Sequence, residues 1–109
     1  MRDMSIENIE QVLRIIDLLQ RKWTIHILWA VQLEPVRLST LKRRFPSASK
    51  KALRAGLRDL EQARVVVRRD LTKVVLHVEY HLVEETRETV CIVLEKLAAF
   101  GGKIGATEL

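Results

Sequence analysis

At 109 residues, with 48% hydrophobic and 30% charged side chains, the chain is long enough for one modest core and too short for a comfortable second. Its 19 lysines and arginines against 14 acids leave a net charge of +5, which directs attention to polyanionic partners. The lone Cys91 excludes an intramolecular disulfide, and the N-terminus lacks the cationic and apolar regions of a secretory signal. The longest uncharged run, Trp23 to Leu33, falls short of the ~20 apolar residues that span a bilayer. A cytoplasmic protein with no membrane partner is expected, read as one domain over 1–109 because no repeat or Gly/Ser-rich linker divides it.

In chain order, Ser5 is placed to cap a first helix over 5–20, in which Ile6, Ile9, Val12, Leu13, Ile16 and Leu19 recur at three- and four-residue spacing. That stripe faces a core or a partner. Trp23 to Leu33 is apolar on nearly all sides and is ended by Pro35, as suits a central helix. A short helix fits Ser39 to Arg44, with Leu38, Leu41 and Phe45 inward, before Phe45-Pro46-Ser47-Ala48 turns the chain. Ser49 caps the next helix, Lys50 to Ala63, where Leu53, Leu57 and Leu60 share one face and Ala52 and Gly56 allow close approach. Two helices joined by a short turn, the second amphipathic and basic, form the pattern of a helix-turn-helix over 39–63.

From Val65 the period changes to two, and a charged hairpin over 64–83 reads as a wing of two or three strands. In its returning strand Leu76, Val78, Tyr80 and Leu82 alternate with His77, Glu79 and His81, which predicts burial on one face only. The last helix, 84–100, carries Val90, Val93, Leu94, Leu97 and Phe100 and is expected to end at Gly101-Gly102. Ile92, Cys91 and Ala98 widen its stripe beyond one face, and a second copy of the chain would bury the surplus. The fold class is therefore α+β, mainly α: a winged helix-turn-helix with terminal dimerisation helices.

The charge is local. Between Pro35 and Arg58 lie Arg37, Lys42, Arg43, Arg44, Lys50, Lys51, Arg54 and Arg58 with no acid, so the rest of the chain sums to −3. Double-stranded DNA is the partner this pattern fits. Lys42, Arg43 and Arg44 are placed to neutralise phosphates, with Ser47 and Ser49 adding hydrogen bonds. Lys50, Lys51 and Arg54 are placed to reach base edges, and Arg69 and Lys73 on the wing complete the candidate DNA-binding residues.

Three segments make the chain resemble the HxlR-type winged helix-turn-helix regulators, over roughly Ile15 to Phe100. They are Lys22-Trp23-Thr24 leading into Ile25-His26-Ile27-Leu28-Trp29; Leu38 through Pro46 and Ser49 to Leu57-Arg58-Asp59-Leu60-Glu61; and Val78-Glu79-Tyr80-His81-Leu82. The resemblance implies a dimeric transcription regulator that places helix 50–63 in the major groove. The family's paired glycine before Lys-Trp is here Gln20-Arg21, its Pro-Pro on the second wing strand is Val75-Leu76, and its glycine near the last helix is Thr86. Some members sense oxidants through a cysteine near the N-terminus; no cysteine precedes Trp23 here, so that mode does not carry over.

Other chemistries find little footing. His77 and His81 lie roughly 13 Å apart along an extended strand, too far to close a metal site on their own. Cys91 sits in an apolar helix as a small core residue would. No nucleophile-base pairing, phosphate loop or paired metal ligands appear, so neither an enzyme nor a cofactor is expected. Two alternatives stand beside the DNA-binding regulator. One is a winged-helix module that binds protein only; the other is a switch whose small-molecule effector sits between the Trp23 helix and the dimer helices.

Overall fold

A computed structural model describes residues 6–105. The elements run α1 (Glu7–Leu19), α2 (Thr24–Leu33), α3 (Leu38–Arg44), α4 (Lys50–Gln62), β1 (Val66–Asp70), β2 (Val78–Leu82) and, after a 3₁₀ turn at Glu84–Thr86, α5 (Arg87–Ile104). Ser5, the expected cap of α1, lies outside the described residues.

The core follows from the helix patterns. Leu53, Leu57 and Leu60 of α4 are fully buried in one cluster with Ile27, Leu28 and Val31 of α2, Leu41 of α3 and Leu94 of α5. Each such side chain contributes roughly 1.5–3 kcal/mol through burial, so this face fixes where α4 sits. Helix α4 starts at a true cap: Ser49 Oγ accepts the backbone N–H of Ala52 at 3.0 Å. It ends in a Schellman motif, with Arg64 N–H on Glu61 O at 2.9 Å and Val65 N–H on Leu60 O at 3.0 Å. Arg64 carries the left-handed conformation, φ 63°, that this motif requires.

Strands β1 and β2 pair antiparallel, with Val66 opposite Leu82 and Asp70 opposite Val78. Val36 adds a single bridge to Tyr80, its N–H and carbonyl both bonded at 3.0 and 2.8 Å, so the wing has two strands and one bridging residue from before α3. The expected one-sided burial of β2 is replaced by half-burial on both faces from Val78 to His81, with Leu82 alone fully enclosed, and Leu76 lies in the exposed connection. The side chains of His77, Glu79 and His81 shelter one another, which is why their face is not plain solvent.

Two further differences concern the ends. Helix α5 runs through Gly101 and Gly102 to Ile104, because neither glycine adopts positive φ; a glycine weakens a helix by about 1 kcal/mol against alanine without stopping it. Among its described residues helix α1 buries only Leu18: Ile9, Val12, Leu13 and Ile16 stand in solvent, as do Ile92, Leu97, Phe100 and Ile104 of α5. The radius of gyration, 15.7 Å, exceeds the ~13 Å of a compact chain of this length, as these projecting helices require.

Candidate nucleic-acid interface

Helices α3 and α4 are held together by their turn. Lys42 Nζ donates to Pro46 O at 2.9 Å and to Ala48 O at 2.8 Å, closing the Phe45–Ser49 loop. Ala48 is buried, and the Phe45 ring packs against Trp23 and His26 with centroids 5.8 and 5.5 Å away. Lys42 is thus engaged in the turn, whereas Arg43, Arg44, Ser47, Lys50, Lys51, Arg54 and Arg58 are exposed. Helix α4 stands on its three leucines, and Lys50, Lys51, Arg54 and Arg58 project from its other sides.

The wing is fastened beside α4 from the start of α3. Arg37 Nη2 donates to Leu76 O at 3.2 Å, next to the Val36–Tyr80 bridge. Between wing and helix opens a cleft of about 360 Å³ bordered by Arg37, Lys50, Arg54 and Arg68, with Ser39 and Tyr80 also lining it and no acid on its rim. Four cations around one open, acid-free cleft suit a polyanion such as a nucleic acid.

The wing's register decides which arginine joins. Arg68 faces Tyr80 across the sheet and lies on the cleft side; Arg69 faces Glu79 and so projects from the opposite face. The linear sequence does not mark Arg68 as a site residue, because the two arginines look alike there; only strand alternation anchored on buried Val66 separates them. Lys73 sits at the wing tip in a shallow cleft that also reaches Arg37.

The tip is ordered by its own hydrogen bonds. Thr72 N–H donates to Asp70 Oδ1 at 3.0 Å, His77 N–H to Thr72 Oγ1 at 2.9 Å, and Leu71 N–H to His77 O at 2.7 Å. Thr72, through its hydroxyl and then its backbone N–H, holds the Asp70 carboxyl below the usual range. Val74 and Val75 project into solvent beyond this frame.

On the far face of the wing, the two histidines converge. His77 Nε2 lies 2.8 Å from Glu79 Oε2 and His81 Nε2 3.0 Å from Oε1, because both side chains bend toward the carboxylate between them. Hydrogen bonds from His77 first and His81 second hold the Glu79 carboxyl below its usual range. Among the described residues no cluster of three His, Cys, Asp or Glu is placed to hold a metal ion. None of the described helices is long and apolar enough to cross a membrane.

Known proteins share this fold. Residues 18–108 match the model of the HxlR-like helix-turn-helix family. The reduced transcriptional regulator YodB of B. subtilis superposes with a TM-score of 0.77 at 25% identity, covering 93% of this chain and 95% of that one. ytcD, described as an HTH-type transcriptional regulator, gives 0.77 at 32% identity over 92% of this chain and 96% of that one. A MarR-family protein of Enterococcus faecalis V583 reaches 0.83 at 19% identity, over 97% and 96% of the two chains, and shares the fold. A search of curated protein sequences finds no significant match.

Proposed function

The chain belongs to the HxlR-like helix-turn-helix family, whose members are DNA-binding transcriptional regulators and not enzymes, and we propose that it binds specific double-stranded sites as a homodimer. The observation that carries this reading is the acid-free cleft between α4 and the wing, with Arg37, Lys50, Arg54 and Arg68 around it. In the proposed complex α4 enters the major groove. Lys50, Lys51 and Arg54, in its first turns, face base edges, while Arg58 lies one turn further along. Arg43, Arg44, Ser47 and Ser49 meet the backbone at the turn, Arg37 and Arg68 hold phosphates in the cleft, and Lys73 follows the backbone at the wing tip. Lys42 acts mainly by shaping the turn, and Arg69 reaches DNA only if the duplex passes over the far face of the wing.

The exposed apolar faces of α1 and α5 supply the dimer contact. Ile9, Val12, Leu13 and Ile16 on one helix and Ile92, Leu97, Phe100 and Ile104 on the other form an apolar surface too extensive for a solitary chain. Two copies joined there would set two α4 helices about 34 Å apart, one turn of duplex. Selecting bound genomic fragments and footprinting them tests this. Two symmetric half-sites at that spacing, protected by a species of twice the 12.6 kDa chain mass in ultracentrifugation, are expected. A monomer that protects one short site would contradict the dimer, and failure to retain any duplex at low salt would contradict DNA binding.

YodB has been solved with a quinone bound, and HypR is a redox regulator. Here no cysteine precedes Trp23, and the single thiol, Cys91, is half-buried on α5. We infer that any effector acts through binding and not through thiol oxidation.

A further inference from the structure

Between α1, α2 and α5 lies a half-open pocket of about 220 Å³ with a wholly apolar wall. Leu28 of α2, Leu94 of α5 and Leu18 of α1 form its floor, being 4%, 1% and 8% exposed. Val65 closes one side, and Ile15 and Val93 border the mouth. Thr86 and Thr89 also line it but turn no polar surface inward, and the Thr86 hydroxyl donates to Val83 O at 3.4 Å.

Such a space is poorly suited to water, which needs two or more polar partners, and leaving it empty forfeits dispersion contacts along the whole lining. A dry apolar cavity of about 150 Å³ accepts benzene, so this one has room for a single ring with small substituents. A helix of a second copy, about 10 Å wide with its side chains, does not fit inside. Ile9, Val12, Ile92 and Phe100, the exposed apolar residues of α1 and α5, do not line the pocket.

We propose that this cavity is a binding site for a small uncharged aromatic or branched aliphatic molecule. Its walls link the parts that matter for DNA binding, and this regulatory extension rests on the reading given above. Val65 is bonded through its N–H to Leu60 at the end of α4 and through its carbonyl to Val83 after β2. Helix α1 is tied to α4 by Arg21, whose guanidinium spans Asp17 at 3.0 Å and Asp59 at 3.2 Å. A ligand seated between α1 and α5 therefore braces the element that carries Lys50 and Arg54.

Ligand binding is tested without DNA, so its failure and that of the DNA-binding reading are separate results. Toluene, indole and isobutylbenzene serve as probes, with benzoate as the charged control, in thermal unfolding and methyl NMR of the full chain. The expected result is a rise in Tm with each neutral probe, none with benzoate, and perturbed methyl resonances of Leu28, Val65, Val90 and Leu94. Val90→Phe, which fills the void from its α5 wall, should raise Tm alone and abolish the probe shifts; Val93→Met serves the same purpose if Val90→Phe does not fold. Absence of any probe shift in the wild-type chain, an equal shift with benzoate, or a shift that survives in the filled variants overturns the proposal. So does a dilution series in which self-association, and no probe, perturbs those methyls.

Discussion

A β-carbon on residue 56 would stand 2.7 Å from Ile27 Cδ1, so α4 packs on α2 at a distance only glycine permits. Gly56 is buried in the middle of α4 and Ile27 is fully enclosed, which leaves the methyl little room to swing aside. Gly56→Ala gains up to about 1 kcal/mol in helix propensity and meets an overpacking cost of about 1–3 kcal/mol. A net loss of stability is expected in urea unfolding. Ile27→Val removes the obstructing methyl, so Gly56→Ala should cost less in that background. Simple additivity of the two changes would show that the contact is relieved elsewhere.

Arg64 bears the strain of a left-handed residue in the Schellman motif that turns α4 into the wing. Arg64→Gly should remove about 1–2 kcal/mol of that strain and return part of it through the freer unfolded chain. The expected outcome is a net stabilisation of up to about 1 kcal/mol, seen as a later urea midpoint at unchanged slope. A destabilised variant would mean that the arginine side chain supports the fold by contacts the motif does not need.

Lys42 and Arg43, neighbours on α3, should separate stability from binding. Lys42→Met keeps the aliphatic stem and loses the bonds to Pro46 O and Ala48 O, and should lower stability by about 1–2 kcal/mol. Arg43→Ala touches an exposed side chain and should change stability by less than about 0.5 kcal/mol while weakening duplex binding. Thermal unfolding beside a binding titration checks both. Equal stability losses would contradict the role given to Lys42.

Acid should loosen the wing. Hydrogen bonds from His77 and His81 depress the Glu79 carboxyl, so its contribution is fully present above the ordinary glutamate value near 4.3 and fades as pH falls through the lower folded value. Asp70 acts in the same direction through Thr72. The slope of stability against pH in that window should be shallower in Glu79→Gln, with the remainder carried by Asp70 and other acids. An unchanged slope would remove Glu79 from the account.

Much of this architecture is written in residue spacing. Leu53, Leu57 and Leu60 announce the buried face of α4, Ser49 its cap, and the run from Arg37 to Arg58 the basic surface. The rest depends on a single residue of register or on distant pairing. Arg68 and Arg69 differ only in which face of β1 they occupy, and that is set by Val66 lying opposite Leu82. The bond from Arg37 to Leu76 crosses 39 positions of chain, and nothing local foretells it. Gly101-Gly102 reads as a helix end because glycine often is one, yet α5 passes through both without left-handed geometry. Strand spacing sets the two histidines far apart because it fixes Cα positions only; their side chains are free to bend toward a shared carboxylate.

The wing register makes its own prediction. Arg68→Ala should weaken duplex binding several-fold, whereas Arg69→Ala, on the face paired with Glu79, should do so much less. Fluorescence anisotropy on a selected duplex compares them. The reverse order would place the duplex on the other side of the wing.

The salt dependence of duplex binding, measured for the wild-type chain and for the Lys50→Ala/Arg54→Ala double variant, tests the central claim most directly. Both side chains border the cleft and rise from the first turns of α4. Steep weakening with salt is expected for the wild type. The double variant should bind several-fold or more weakly, with its log–log slope close to that of the wild type, because Lys50 and Arg54 face base edges and the phosphate contacts remain. Unchanged affinity in a folded double variant would contradict the assignment of α4 and its cleft as the DNA-binding surface.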